Sequence, residues 1–265
     1  MSEQDSYDRA ADWYAELSLA RVGAVVPLGE GAWAATTAEW PASYAHNGIL
    51  LRRDPGADAL IRWGDEVLGE AGLEHRYVFA LCDLSKETRA GLAAAGFTTE
   101  PERLMGRPQS LGPLAAPATA VAERVSEDVT APFQDRMWRE EWKPGISDAE
   151  VADLVGRRAT YTLSGPFISF VVRDPETGEI GACADLAVHG TCAEVDGVTT
   201  AASHRGRGYG DAVLTACIEA ATEHGCTDVY LTAMTDDWPR HWYARRGWAD
   251  LGPAWTAVRS PAAHG

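Results

Sequence analysis

The stretch SHRGRGYGDAVL, residues 203–214, sets three glycines and two arginines within residues 205–210 and then turns into a helical pattern. Glycine permits tight turns and lets bulky oxyanions approach the backbone. Where such a loop runs into a helix, the unpaired N–H groups of the first turn gather on one concave surface and attract an anion. Arg205 and Arg207 add positive charge there, in a chain whose formal net charge is -16. The patch suits a pyrophosphate rather than the protein's average partner. Its spacing matches neither the nucleotide loop G-x-x-x-x-G-K-[ST] nor the dinucleotide fingerprint G-x-G-x-x-G, because the glycines stand at 206, 208 and 210.

A loop of this kind needs a strand before it and a helix after it. The strand candidate AEVDGVTT, residues 193–200, leads in, and DAVLTACIEAATEH, residues 211–224, leads out. Val213, Leu214, Cys217, Ile218 and Ala221 form one apolar face before Gly225, which suits a C-cap. Strand alternation puts Glu194, Asp196 and Val198 on one face, so two carboxylates stand on the strand that feeds the loop.

The first half of the chain echoes the second. RYVFALCDLSKETRAGLAAAGF, residues 76–97, aligns without a gap with TDVYLTAMTDDWPRHWYARRGW, residues 227–248; both end in glycine plus an aromatic. Upstream, Leu60, Ile61, Val67, Leu68 and Ala71 precede Gly72 as the helix face precedes Gly225. The shared order of strand and helix predicts two copies of one α/β unit. QSLGPLAAPATA between them has the composition of a linker. The expected division is 1–112, a linker at 113–120, and 121–265. In the first copy the loop is shortened, the positions facing Gly208 and Gly210 are Ala57 and Ala59 or Pro55 and Ala57, and Leu92 stands where the second copy has Tyr243. That copy is therefore expected to lack this anion loop and to serve as a scaffold.

At 265 residues the chain is long enough for two modest cores. No apolar run approaches the roughly 20 residues of a membrane span, and the N-terminus lacks a signal pattern, which predicts a cytoplasmic protein without membrane partners. Five cysteines without a C-x-x-C pair predict buried reduced thiols. Seven histidines without ligand spacing predict no metal. The acidic excess disfavours nucleic acid; it would suit a cationic substrate, but a negative surface is first of all a common route to solubility.

Arg205-x-x-Gly208-x-Gly210 resembles the [QR]-x-x-G-x-[GA] signature of the GCN5-related N-acetyltransferases, the GNAT family, and WYARRGW resembles the family's [LWI]-Y-x-x-x-G-[FW] element. The resemblance implies an α/β (α+β) fold of two tandem units, each a mixed, mostly antiparallel sheet flanked by helices. It implies acetyl-coenzyme A as cosubstrate, its pyrophosphate on Arg205, Gly206, Arg207, Gly208, Tyr209 and Gly210. Backbone groups of Val198, Thr199 and Thr200 would meet the pantetheine arm, and one of their N–H groups would hold the oxyanion. Asp236 stands where many members have asparagine. Glu194 resembles the base of the histone acetyltransferase branch, with Asp196 as the alternative, and Tyr243, expected at the start of a helix, resembles the general acid. The acceptor is expected under RMWREEWKPGISDAEV, residues 136–151, where Trp138, Glu140, Glu141 and Trp142 form either an aromatic and acidic wall or an ordinary amphipathic helix. The function implied is N-acetylation of a small-molecule primary amine by direct attack on the thioester. Transfer of a longer acyl chain, a peptide or protein acceptor, and a non-catalytic acyl-coenzyme A sensor are the alternatives.

Overall fold

A computed structural model of the chain describes residues 2–115, 120–141 and 145–261, residue 141 by its backbone. In chain order the elements are α1 (Glu3–Ala20), β1 (Ala24–Gly29), β2 (Ala32–Thr36), β3 (Gly48–Leu51), α2 (Ala57–Trp63), β4 (Arg76–Ala80), α3 (Lys86–Ala94) and β5 (Thr98–Pro108). They continue as β6 (Glu123–Val125), α4 (Glu127–Glu141), α5 (Asp148–Gly156), β7 (Phe167–Arg173), β8 (Ile180–His189), β9 (Cys192–Thr200), α6 (Tyr209–Glu223), β10 (Asp228–Met234), α7 (Trp238–Ala244) and β11 (Ala249–Arg259). The chain packs as two compact units. One comprises Met1–Met105, Thr232–Arg245 and Ala249–Gly265; the other comprises Gly106–Leu231 and Arg246–Trp248.

In the first unit the strand order is β1-β2-β3-β4-β11-β5. β3 and β4 run parallel, with Ile49 opposite Val78 and Leu51 opposite Ala80, while β1, β2 and β3 form antiparallel pairs. β3 reads GILL and is buried along its whole length, as a strand covered on both faces must be. Leu60 of α2, Leu68 beyond it and Leu92 of α3 join Ile49, Leu51 and Val78 in one core. β11 lies antiparallel to β4, from Trp255 opposite Ala80 to Arg259 opposite Arg76. Residues counted by sequence with the second copy thus pack with the first. Copies follow the repeated order of elements, whereas packing units follow contacts, and here the two divisions differ.

Tyr7 of α1 explains Gly252 on β11. Its hydroxyl donates to the Pro253 carbonyl at 2.7 Å, and a Cβ on Gly252 would meet the Tyr7 ring, 2.6 Å from Cε2. Gly252→Ala is expected to cost about 1–3 kcal/mol by overpacking. A thermal melt checks this, and an unchanged midpoint would show that α1 shifts freely.

The second unit orders its strands β10-β9-β8-β7-β6. All pairs are antiparallel except β9 with β10. α6 buries Val213, Leu214, Cys217, Ile218 and Ala221, the expected face, and packs on β8 and β9 with Gly225 just beyond its end. α4 sets Phe133 and Met137 against Val171 and Cys183. The five cysteines are free, four of them buried, and burial pushes the Cys226 thiol up to about 11. Among the described residues no helix is long and apolar enough to cross a membrane, and no group of three or more His, Cys, Asp or Glu is placed to hold a metal.

Candidate functional site

β9 ends at Thr200 and α6 begins at Tyr209, with Gly208 as N-cap in the left-handed conformation at φ +78°. Gly206 is left-handed too, at φ +76°, and a Cβ added there would meet nothing within 4 Å, so this side of the loop is open. The first amides of α6 have no partners within the helix and point out of its N-terminus. Arg205 is exposed, its Nε donating to the Thr200 carbonyl at 3.4 Å. A helix N-terminus behind a glycine loop favours an anion. The structure brings Arg205, Gly206, Arg207, Gly208, Tyr209 and Gly210 together, but Tyr209 is only 5% exposed and can offer an anion its backbone rather than its ring.

Asp174, at the turn after β7, closes the loop from the other side. One oxygen accepts the amides of Glu176 and Thr177 at 3.0 and 3.1 Å, and the other accepts from Arg207 Nη1 at 2.7 Å. Those two amides, with the positive charge of Arg207, hold its carboxyl below the usual carboxylate range. Nothing local marked this residue in the sequence, since it precedes the loop by two whole strands.

β9 carries a bulge. Asp196 faces Asp185 and Thr199 faces Cys183, so β9 has one residue more than β8 between these pairs, and Gly197 takes it up at φ +62°. Directly opposed residues share a face, so Glu194, Asp196 and Thr199 stand together, not Val198 as plain alternation predicts. Glu194 is 4% exposed, opposite Ala187 on one side and Tyr230 on the other. Asp196 is half-buried and accepts the Gly197 amide at 2.7 Å. The pairing with β10 covers Cys192–Glu194, and β9 runs on through Val198, Thr199 and Thr200.

Beside Asp196 lies a buried ion pair that sequence reasoning missed. Arg158 Nη2 donates to Asp185 at 2.6 Å and to the Ser169 hydroxyl at 3.0 Å. Its Nη1 donates to Thr130 and Gln134, both at 2.6 Å. Ser169 donates in turn to Asp185 at 2.7 Å. Burial raises the Asp185 carboxyl to about 6, outweighing the attraction of Arg158. The network ties α4 to β7 and β8.

Tyr243 belongs to the other unit. It is the penultimate residue of α7, not at its start, because Asp237 caps the helix at Trp238 and Pro239 follows in the first turn. It is 8% exposed, its ring edge-on to Trp242 at 4.9 Å. Asp236 is exposed in the turn before α7. In the expected acceptor segment Trp138 is half-buried and Glu140 exposed, while Trp142 and the Glu141 side chain lie outside the described residues.

The first unit carries the same parallel pair with different chemistry. Through the alignment of β4 with β10, Leu50 occupies the register position of Glu194, and Leu92 that of Tyr243. Between β3 and α2 its own Asp54 accepts the amides of Gly56 and Ser85, each at 2.9 Å.

Residues 131–248 match the model of the Acetyltransferase (GNAT) family. No curated protein matches the chain. Among solved structures, a functionally unknown conserved protein from Staphylococcus epidermidis superposes with a TM-score of 0.70 at 13% identity, over 91% of this chain and 95% of that one. A GCN5-related N-acetyltransferase from Kribbella flavida gives 0.61 at 21% identity, over 97% and 96%. A tandem GNAT protein from the clavulanic acid biosynthesis pathway gives 0.54 at 14%, over 81% and 76%. The fold is the mixed α/β fold of GNAT proteins.

Proposed function

We propose that the chain is an acetyl-coenzyme A-dependent N-acetyltransferase whose acceptor is a small-molecule primary amine, and that its N-terminal copy is degenerate. The observation that carries this reading is the open loop of left-handed glycines at the N-terminus of α6, beside an exposed Arg205. The coenzyme supplies an acetyl thioester and a thiolate leaving group. Loop amides and Arg205 hold its pyrophosphate, and the free edge of β9 at Val198–Thr200 guides the pantetheine. An alkyl ammonium has a pKa of about 10.4, so the amine must lose a proton before it attacks; Glu194, through water, accepts it. As the C–N bond forms and the C–S bond breaks, Tyr243 gives its proton to the thiolate and is reprotonated, through solvent, by the proton that the new amide nitrogen sheds. In the N-terminal copy Leu50 and Leu92 replace both groups, which supports a scaffold role.

Titration of acetyl-coenzyme A into the purified chain, followed by free-thiol release with a panel of amines, tests this. Binding near one coenzyme per chain with amine-dependent release is expected. Two comparable sites would sink the degenerate copy, and binding without release from any amine would favour a sensor. Tyr243→Phe is expected to lower kcat about tenfold, a modest effect because a thiol of pKa about 8.5 leaves readily, with coenzyme affinity unchanged. Unchanged turnover would remove Tyr243 from the mechanism.

A further inference from the structure

A loop with glycines at 206, 208 and 210 has more conformations open to it than most, so something must hold the one that binds. Residues 204, 207 and 209, on both sides of Gly206 and Gly208, converge on a single carboxylate oxygen. Asp174 Oδ2 lies 2.7 Å from Arg207 Nη1, 3.4 Å from His204 Nε2 and 3.5 Å from the Tyr209 hydroxyl. The Asp174 side chain is 5% exposed and its other oxygen is fixed by the Glu176 and Thr177 amides, so the anchor cannot swing. His204 is held in turn by Ser203, whose hydroxyl lies 2.9 Å from Nδ1. Gly181 on β8 lets both rings close in: a Cβ there would stand 2.8 Å from the Tyr209 ring and 2.9 Å from the His204 ring.

Resting on the acyl-coenzyme A reading, we infer that Asp174 is a positioning residue that presets the pyrophosphate loop, and that Arg207 braces the loop against Asp174 instead of contacting phosphate. The two arginines therefore have separate jobs. Arg205 is exposed and forms no ion pair among the described residues, which leaves its charge for the anion; Arg207 spends its charge on a carboxylate already within the protein. Presetting the loop removes an ordering cost from coenzyme binding, so its loss appears in affinity rather than in turnover.

Calorimetric titration of the full chain with acetyl-coenzyme A at low and high salt separates these roles. Asp174→Asn and Arg207→Met are each expected to weaken binding about tenfold, the equivalent of roughly 1.4 kcal/mol, with kcat at saturating coenzyme unchanged. The double variant is expected to be no weaker than the worse single one, since both remove the same brace. Arg205→Met is expected to flatten the salt dependence of binding, because it removes an exposed charge pair that salt screens, whereas the charge-neutral Asp174→Asn/Arg207→Met variant keeps the wild-type dependence. Additive losses, wild-type affinity in Asp174→Asn, or a salt dependence flattened by the double variant as by Arg205→Met would each overturn the inference. If Asp174→Asn fails to fold, Arg207→Met and its salt dependence decide alone, since that guanidinium is half exposed. Failure of the wild type to bind acetyl-coenzyme A would instead remove the underlying reading.

Discussion

Glu194→Gln is expected to lower kcat/KM by roughly 10²–10⁴, the range that a general base contributes, while leaving coenzyme affinity intact. Glutamine keeps the shape and the neighbours of the side chain but cannot accept a proton. The strand position fits a base: Glu194 is buried on β9 opposite Ala187 and Tyr230, where the parallel pairing ends, and the bulge at Gly197 sets Asp196 and Thr199 on its face. Asp196→Asn is the control, since it removes the other carboxylate of that face. Steady-state kinetics across pH checks the pair. A normal rate in Glu194→Gln with a crippled Asp196→Asn would transfer the role to Asp196, and normal rates in both would remove the carboxylates from the proton transfer.

Arg158→Met is expected to destabilise the second unit by about 3–5 kcal/mol, because it strands a buried carboxylate. Asp185 is the group left behind, and burial already raises its carboxyl from the ordinary 3.8 to about 6 with Arg158 in place. A carboxyl whose folded pKa lies above its unfolded value holds its proton more tightly when folded. What it contributes to stability is therefore greatest below 3.8 and declines as pH rises through about 6. Without Arg158 that decline steepens. The gap between variant and wild type is expected to be widest near pH 8 and to narrow toward about pH 5, where Asp185 takes up its proton. Urea midpoints followed by tryptophan fluorescence at the two pH values measure it, and a gap that ignores pH would mean that Asp185 is not the stranded charge.

What could be read from the sequence was whatever is local in the chain. The loop of Gly206 and Gly208, the apolar face of α6 and the stop at Gly225 are set by residues a few positions apart, and they stand where the spacing put them. The order of strand, helix and strand was legible too, and the helix between β9 and β10 is the crossover that their parallel pairing needs. The bulge did not follow: whether Gly197 bends the strand depends on which residues of β8 lie opposite, and AEVDGVTT alternates well enough without it. Asp174 and Arg158 were invisible for a related reason, since each works on residues from a different element. The partner of β11 was hidden because an apolar strand pattern names a face and never a neighbour.

That last strand fixes when the molecule can be finished. β4 and β11 belong to one sheet, yet the ribosome makes residues 76–80 long before residues 249–259. At about 5–20 residues per second the interval is on the order of ten to thirty seconds. Throughout it Arg76–Ala80 shows an unsatisfied edge to the crowded solution around the exit tunnel. Until residues 249–259 are made, the N-terminal unit therefore lacks the strand that pairs with β4.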